Sequence, residues 1–204
     1  MSEQNDLAPR RRPVQARSRE RVEAILSHAA SMITEKGVDG VSMSAIARSS
    51  EMSLASLYRY FPNKSAIVCA LAEDHVERME QAMREQLHRL TPADVVDTLI
   101  DLYYDFYCNE PAYRAIWTGV ESMPELQALD LRELHTNARD LYEWLTHHFP
   151  DSPEDRRWSA SLMVPRAAGT ILRLAMTLPE SEADRLLSEL KRMIHQYLAT
   201  VSDP

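Results

Sequence analysis

From residue 17 to 36, Val22, Ile25, Leu26, Ala29 and Ile33 recur at the i, i+3, i+4 and i+7 spacing that lines one face of an α-helix. Gly37 follows and suits a helix C-cap. A shorter pattern begins behind Ser42, a capping residue, with Met43, Ile46 and Ala47 facing inward. The break Ser50-Glu51-Met52 separates it from a third pattern, capped by Ser53, in which Leu57 and Phe61 stand i, i+4 on the core side. Pro62-Asn63 ends that helix, because proline cannot continue a helix interior and biases its predecessor out of the α region. A long helix is predicted over 64–90, and Thr91-Pro92 breaks it. Helical patterns then fit 93–108, 111–119, 124–148, 153–178 and 181–202. No segment reads as a strand, so the predicted fold class is all-α.

The 204 residues, 45% hydrophobic, suffice for one large domain or two small ones with a real core. No run of about 18 apolar residues occurs, so no transmembrane helix and no membrane partner are expected. The polar, arginine-rich N-terminus lacks the apolar stretch of a secretory signal. Cys69 and Cys108 are expected to be reduced, buried thiols in a cytoplasmic protein, a disulfide between them being the alternative. The scarcity of glycine excludes GxGxxG and P-loop phosphate cradles, and no cofactor is expected.

A net charge of −8 argues by itself against nucleic acid, but its distribution reverses that reading. Residues 10–64 carry ten Lys or Arg and five Asp or Glu, net +5, whereas residues 65–204 carry thirteen and twenty-four, net −11. A basic module on an acidic body turns one end toward phosphates.

Residues 42–64 have the layout of a helix-turn-helix, whose second helix enters the DNA major groove. Leu54, Ala55, Ser56, Arg59 and Tyr60 fall on the non-core side of that helix. Leu54 or Ala55 could meet a thymine methyl, and Arg59 could pair with guanine or take a phosphate. The hydroxyls of Ser56, Tyr58 and Tyr60 suit phosphate oxygens, and Lys64 opens the long helix where a phosphate could be clasped. An amphipathic surface helix in an all-α protein is the plainer alternative.

These residues resemble the DNA-binding domain of the TetR/AcrR family of regulators. The likeness rests on Ala29-Ala30, the run Gly37 to Met43, Ile46-Ala47, Ser53, the run Ser56 to Phe61, and Asn63-Lys64-Ser65. It implies DNA contacts from Arg17, Ser42, Ser44, Ser56, Tyr58, Tyr60 and Lys64, and base reading by Leu54, Ala55 and Arg59. Two departures stand out. Glu51 holds the turn position where the family usually has glycine, which suits a left-handed backbone, and Ala55 replaces another glycine. The domains implied are a basic arm over 1–16, a helix-turn-helix domain over 17–63 and a helical effector-binding and dimerisation domain over 64–204. Arg10 to Arg12 either touch DNA or form a solvated tail.

In the body, Tyr103, Tyr104, Phe106, Tyr107, Tyr113, Trp117, Met123, Trp144, Met163 and Met176 either line a ligand cavity or make ordinary core. Arg114, His135 and Arg166 are the polar groups to watch. The resemblance favours a cavity for a small-molecule effector. It also favours a homodimer through the last two helices, where Ala167-Ala168-Gly169, Leu172 and Met176 face Leu186, Leu187, Leu190, Ile194, Tyr197 and Leu198. Intramolecular core is the alternative for that stripe. Enzyme signatures are lacking: Glu85-x-x-His88 occurs once where a di-iron bundle needs two such pairs, and HExxH and GxSxG do not occur. The expectation is a ligand-responsive regulator, a repressor that binds a near-palindromic operator as a homodimer. A helical DNA-associated interaction protein without an effector is the alternative.

Overall fold

The computed structural model describes residues 16–117 and 123–202. Within them lie nine helices: α1 (Ala16–Lys36), α2 (Met43–Ser49), α3 (Leu54–Tyr58), α4 (Lys64–Leu87), α5 (Val95–Asn109), α6 (Tyr113–Trp117), α7 (Pro124–His148), α8 (Glu154–Ala175) and α9 (Glu180–Ser202). No strand occurs among the described residues, so the fold is all-α as the periodicity predicts. None of the described helices is long and apolar enough to cross a membrane. The arginines at 10–12 lie outside the described residues.

The chain divides into two compact units. One takes residues up to 75 together with 111–126, and the other takes 76–110 and 127 onward. In the first unit, Ile25 and Ile33 of α1 meet Ile46, Leu57, Phe61 and Ile67 in a core shielded from solvent. Each such side chain contributes about 1.5–3 kcal/mol by leaving water. Asn63 serves α4 as well as ending the preceding turn, because its Oδ1 accepts the Ala66 N–H at 2.8 Å. A bond across 78 positions pins α6 to α1: Ala112 N–H donates to Thr34 Oγ1 at 2.8 Å. Thr34 in turn donates to the Ala30 carbonyl at 2.8 Å.

In the second unit α8 and α9 pack along each other, and both meet α5. Its core holds Met79, Met83, Ile100, Leu145, Leu172, Leu190 and Ile194. α8 continues through Pro165 without interruption. The buried Arg157 closes the end of α7, its guanidinium donating to the carbonyls of Phe149, Pro150 and Ser152. His148 in the last turn of α7 sits 3.0 Å from the Trp144 carbonyl, at the negative end of the helix dipole. The thiols depart from expectation. Both cysteines are free, but Cys108 is exposed and Cys69 only half-buried, since each lies toward the edge of its helix's core stripe. Burial, with Glu125 and Glu73 nearby, still pushes the Cys69 thiol up to about 11.

Candidate nucleic-acid interface and cavity

α2 and α3 of the first unit both start behind capping serines. Ser42 Oγ accepts the Ala45 N–H at 3.3 Å, and Ser53 Oγ accepts the Ser56 N–H at 3.1 Å. Ser44 Oγ lies 3.1 Å from Ser42 Oγ, so two exposed hydroxyls stand together at the start of α2. Ser53 also donates to Ser56 Oγ at 3.0 Å, which leaves Ser56's own proton for another acceptor.

α2 ends in a Schellman motif. Met52 N–H reaches back to the Ala47 carbonyl at 3.0 Å and Glu51 N–H to the Arg48 carbonyl at 3.2 Å. That motif needs a left-handed residue, and Glu51 supplies it at φ 52°. The turn therefore keeps the shape a glycine would favour, and Glu51 carries the strain.

α3 is a single turn extended by bonds from Tyr60 and Phe61 to the Leu57 carbonyl, at 2.9 and 3.0 Å. Leu57 and Phe61 are fully buried, which fixes the roll of the helix. The opposite side is open: Leu54 is 40% and Tyr58 42% exposed, and Ala55 and Arg59 are exposed with them. Exposed apolar and cationic side chains on one capped turn suit base edges and phosphates. Tyr60 is half-buried, and Arg17 stands in the first turn of α1. Lys64 is also half-buried, and its Nζ donates to the Val38 carbonyl at 2.8 Å. Its ammonium is thus tied to the turn between α1 and α2, with further protons left for a phosphate.

The second unit holds a cavity of about 110 Å³ walled by α4, α5, α7, α8 and α9. Of the residues expected there, Tyr103, Tyr107 and Arg166 line it. The others go elsewhere. Tyr113 and Trp117 stack near His75 in the first unit, at 5.5 and 5.7 Å between successive rings, because the Thr34–Ala112 bond seats α6 on α1. Met123 is half-buried in the same unit. Trp144 donates to the Leu90 carbonyl at 3.1 Å and stacks on His148. Phe106 lies under the Arg78 guanidinium, and Met163 is 57% exposed. Arg114 and His135 are exposed.

Polar residues that the aromatic pattern does not reveal complete the cavity wall: Asp130, Glu133 and Asn137 from α7, and Arg173 from α8. The acids and the amide occupy core positions of α7, on the stripe of Leu126, Leu141 and Trp144. Polar groups on a buried helical stripe are costly, and that is the signal by which they could have been found. Asp130 accepts from Arg166 and, at 3.3 Å, from Arg173. Burial, then the neighbouring Asp130, lifts the Glu133 carboxyl to about 7, while Arg173 and a hydrogen bond from Asn137 pull it down. The Tyr103 hydroxyl is pushed well up by burial and by Glu133.

Residues 90–201 match the family model described as Tetracyclin repressor-like, C-terminal domain, and residues 25–71 match that of bacterial regulatory proteins, tetR family. The chain is 30% identical over 126 residues to a nucleoid occlusion factor SlmA of Pasteurella multocida, a match that spans 57% of this chain and 61% of that protein. A second such factor, from Mannheimia succiniciproducens, is 28% identical over 175 residues, 78% of this chain and 76% of that protein. Among solved structures, a TetR-family transcriptional regulator from Streptomyces coelicolor aligns with a TM-score of 0.70 and 26% identity, covering 91% of this chain and 99% of its own. The fatty acid degradation regulator FadR of Bacillus halodurans shares the fold at a TM-score of 0.64 and 20% identity, covering 87% of this chain and 93% of its own.

Proposed function

The chain belongs to the TetR family of bacterial regulatory proteins and is a DNA-binding regulator, and on that premise we propose that it is a ligand-released repressor acting as a homodimer on a near-palindromic operator. The observation that carries the reading is the α3 turn, fully buried at Leu57 and open at Leu54, Ala55, Tyr58 and Arg59. A two-fold dimer would present two such turns to half-sites about one helical turn of DNA apart. The cavity of the second unit is the effector site. Its occupant favours a state whose recognition turns no longer fit the half-sites, and α4, whose residues run from the first unit into the second, carries the change.

The test is selection of random duplex DNA by the full-length protein at physiological salt. An enriched near-palindrome is the expected result, and salt-sensitive binding without enrichment contradicts specific repression. On the selected duplex, Arg59→Ala should relax preference at one position, by about 1–3 kcal/mol if the guanidinium reads a guanine. Lys64→Ala should weaken binding to all sequences alike and flatten the salt slope.

The name of the curated relatives, nucleoid occlusion factor, favours a second reading, a nucleoid-associated DNA-binding protein, for which no small-molecule effector is proposed. Thermal stabilisation across a small-molecule library separates the two, since a ligand of the native state raises stability by mass action.

A further inference from the structure

The charges lining the cavity of the second unit are equal in number but unevenly paired: Asp130 and Glu133 of α7 stand with Arg166 and Arg173 of α8. Two further carboxylates, Glu80 on α4 and Asp140 on α7, act on the region from outside that lining. Arg84 serves Glu80 and Asp140, at 3.4 and 3.3 Å, and Arg166 and Arg173 converge on Asp130. Glu133, only 9% exposed, has no ion pair within 4.0 Å among the described residues and feels Arg173 only at longer range. Asn137 donates its amide hydrogen to Glu133, and its Oδ1, also buried, has no hydrogen-bond donor. Two buried acceptors therefore face one cavity: Glu133, whose nearest cation is already paired with Asp130, and Asn137 Oδ1, which has no donor.

The identity of the missing group follows by comparing what each ligand chemistry would find. A carboxylate would meet Glu133 with no guanidinium left for it, because both lining arginines are engaged by Asp130. A hydroxyl would satisfy Asn137 and leave Glu133 without a counter-charge. A protonated amine supplies both, with N–H groups for Glu133 and Asn137. The rings of Tyr103 and Tyr107, edge to face at 5.9 Å, add π surface for the cation. The rest of the wall, including Met83, Leu99, Ile100, Leu134 and Leu172, is hydrocarbon.

We propose that this cavity binds an amine on an apolar skeleton, its ammonium seated between Glu133 and Asn137. The assignment rests on the reading of the cavity as the effector site and names the chemistry of the effector. Binding is coupled to pH. The groups that act on Glu133 are Glu80 from α4, Tyr103 from α5, Asp130 and Asn137 on α7, and Arg173 from α8; Tyr107 from α5 and Arg166 from α8 line the same cavity, and α9 contributes Ile194 and Leu198. Burial first, then Asp130 and Glu80, against Arg173 and the Asn137 hydrogen bond, raise the carboxyl to about 7. The ammonium needs the ionised form, so affinity falls as pH drops below that point, by up to roughly tenfold per pH unit.

Calorimetric titration of the full-length protein with phenylbutylamine, phenylbutanol and phenylbutyrate tests the proposal. The amine should bind most tightly and the carboxylate least. Glu133→Gln should weaken the amine by roughly tenfold or more and abolish its pH dependence, while leaving the alcohol unchanged. Asn137→Leu, which fills the same space, should weaken the amine and the alcohol alike. Equal or tighter binding of the carboxylate, an unchanged amine affinity in Glu133→Gln, or no binding by any of the three overturns the assignment. Repeating the titrations against operator duplex separates this from the regulatory reading. An amine that binds without changing operator affinity refutes release and leaves the ligand chemistry standing.

Discussion

Two residues work against the local preference of their position. Glu51 holds a left-handed turn at φ 52°. Replacing it with glycine relieves a conformation that costs a side-chain-bearing residue about 1 kcal/mol. Glu51→Gly should therefore raise the unfolding free energy by about 1 kcal/mol, read as a higher urea midpoint at constant slope. A lower midpoint would mean that the turn is not held left-handed. Glu133 is the second case. Its folded carboxyl sits near 7 against an ordinary value of 4.5, so the folded chain binds its proton more tightly than the unfolded chain. Stability must then fall as pH rises from about 4.5 to about 7. Glu133→Gln should flatten that decline, raising the melting temperature at pH 8 and changing it little at pH 4. Equal effects at both ends would show that Glu133 does not titrate in this window.

At the scale of elements, the helix-turn-helix was readable because its signals are local. Ser42 and Ser53 cap their helices through bonds three residues long, and Leu57 and Phe61 share a face through the helical repeat alone. The cavity was readable only in part. Tyr103 and Tyr107 are one turn apart on α5 and arrive together, but Tyr113 and Trp117 follow α6 to α1. The bond that takes them there joins residues 78 positions apart, beyond the reach of any periodicity. On α7 the pattern of buried positions was present, yet Asp130, Glu133 and Asn137 look like surface residues until their helix is seen to be enclosed.

At the scale of the whole molecule, much of the stripe expected at a dimer face is intramolecular core. Leu172, Leu187, Leu190, Ile194 and Leu198 are buried within the chain, spent on joining α8 and α9 to their own unit. The large apolar side chains left open on these helices are Trp158, Met163 and Leu174 on α8, the last two about three turns apart, and Met193 on α9. Tyr197 ties the two helices at that surface, its hydroxyl donating to Met163 Sδ at 3.7 Å. If this face joins two copies, Met163→Glu should yield a folded monomer in sedimentation and lose most operator affinity, since a single half-site gives up the second recognition turn. An unchanged sedimentation coefficient would place the interface elsewhere.

The sequence by itself determined the all-α class, the two capped helices and the side of α3 that stays open, because capping, turn chemistry and the 3.6-residue repeat act within a few positions of the chain. It also marked Glu51 as out of place. Only the tertiary structure decided where α6 packs, which aromatic side chains meet the cavity, and which apolar residues of α8 and α9 remain exposed. It alone brought an acid and an amide of α7 into one cavity whose two arginines are paired with a different acid. Those outcomes depend on contacts between distant segments, where a side chain's surroundings are set by helices that the local sequence does not encode.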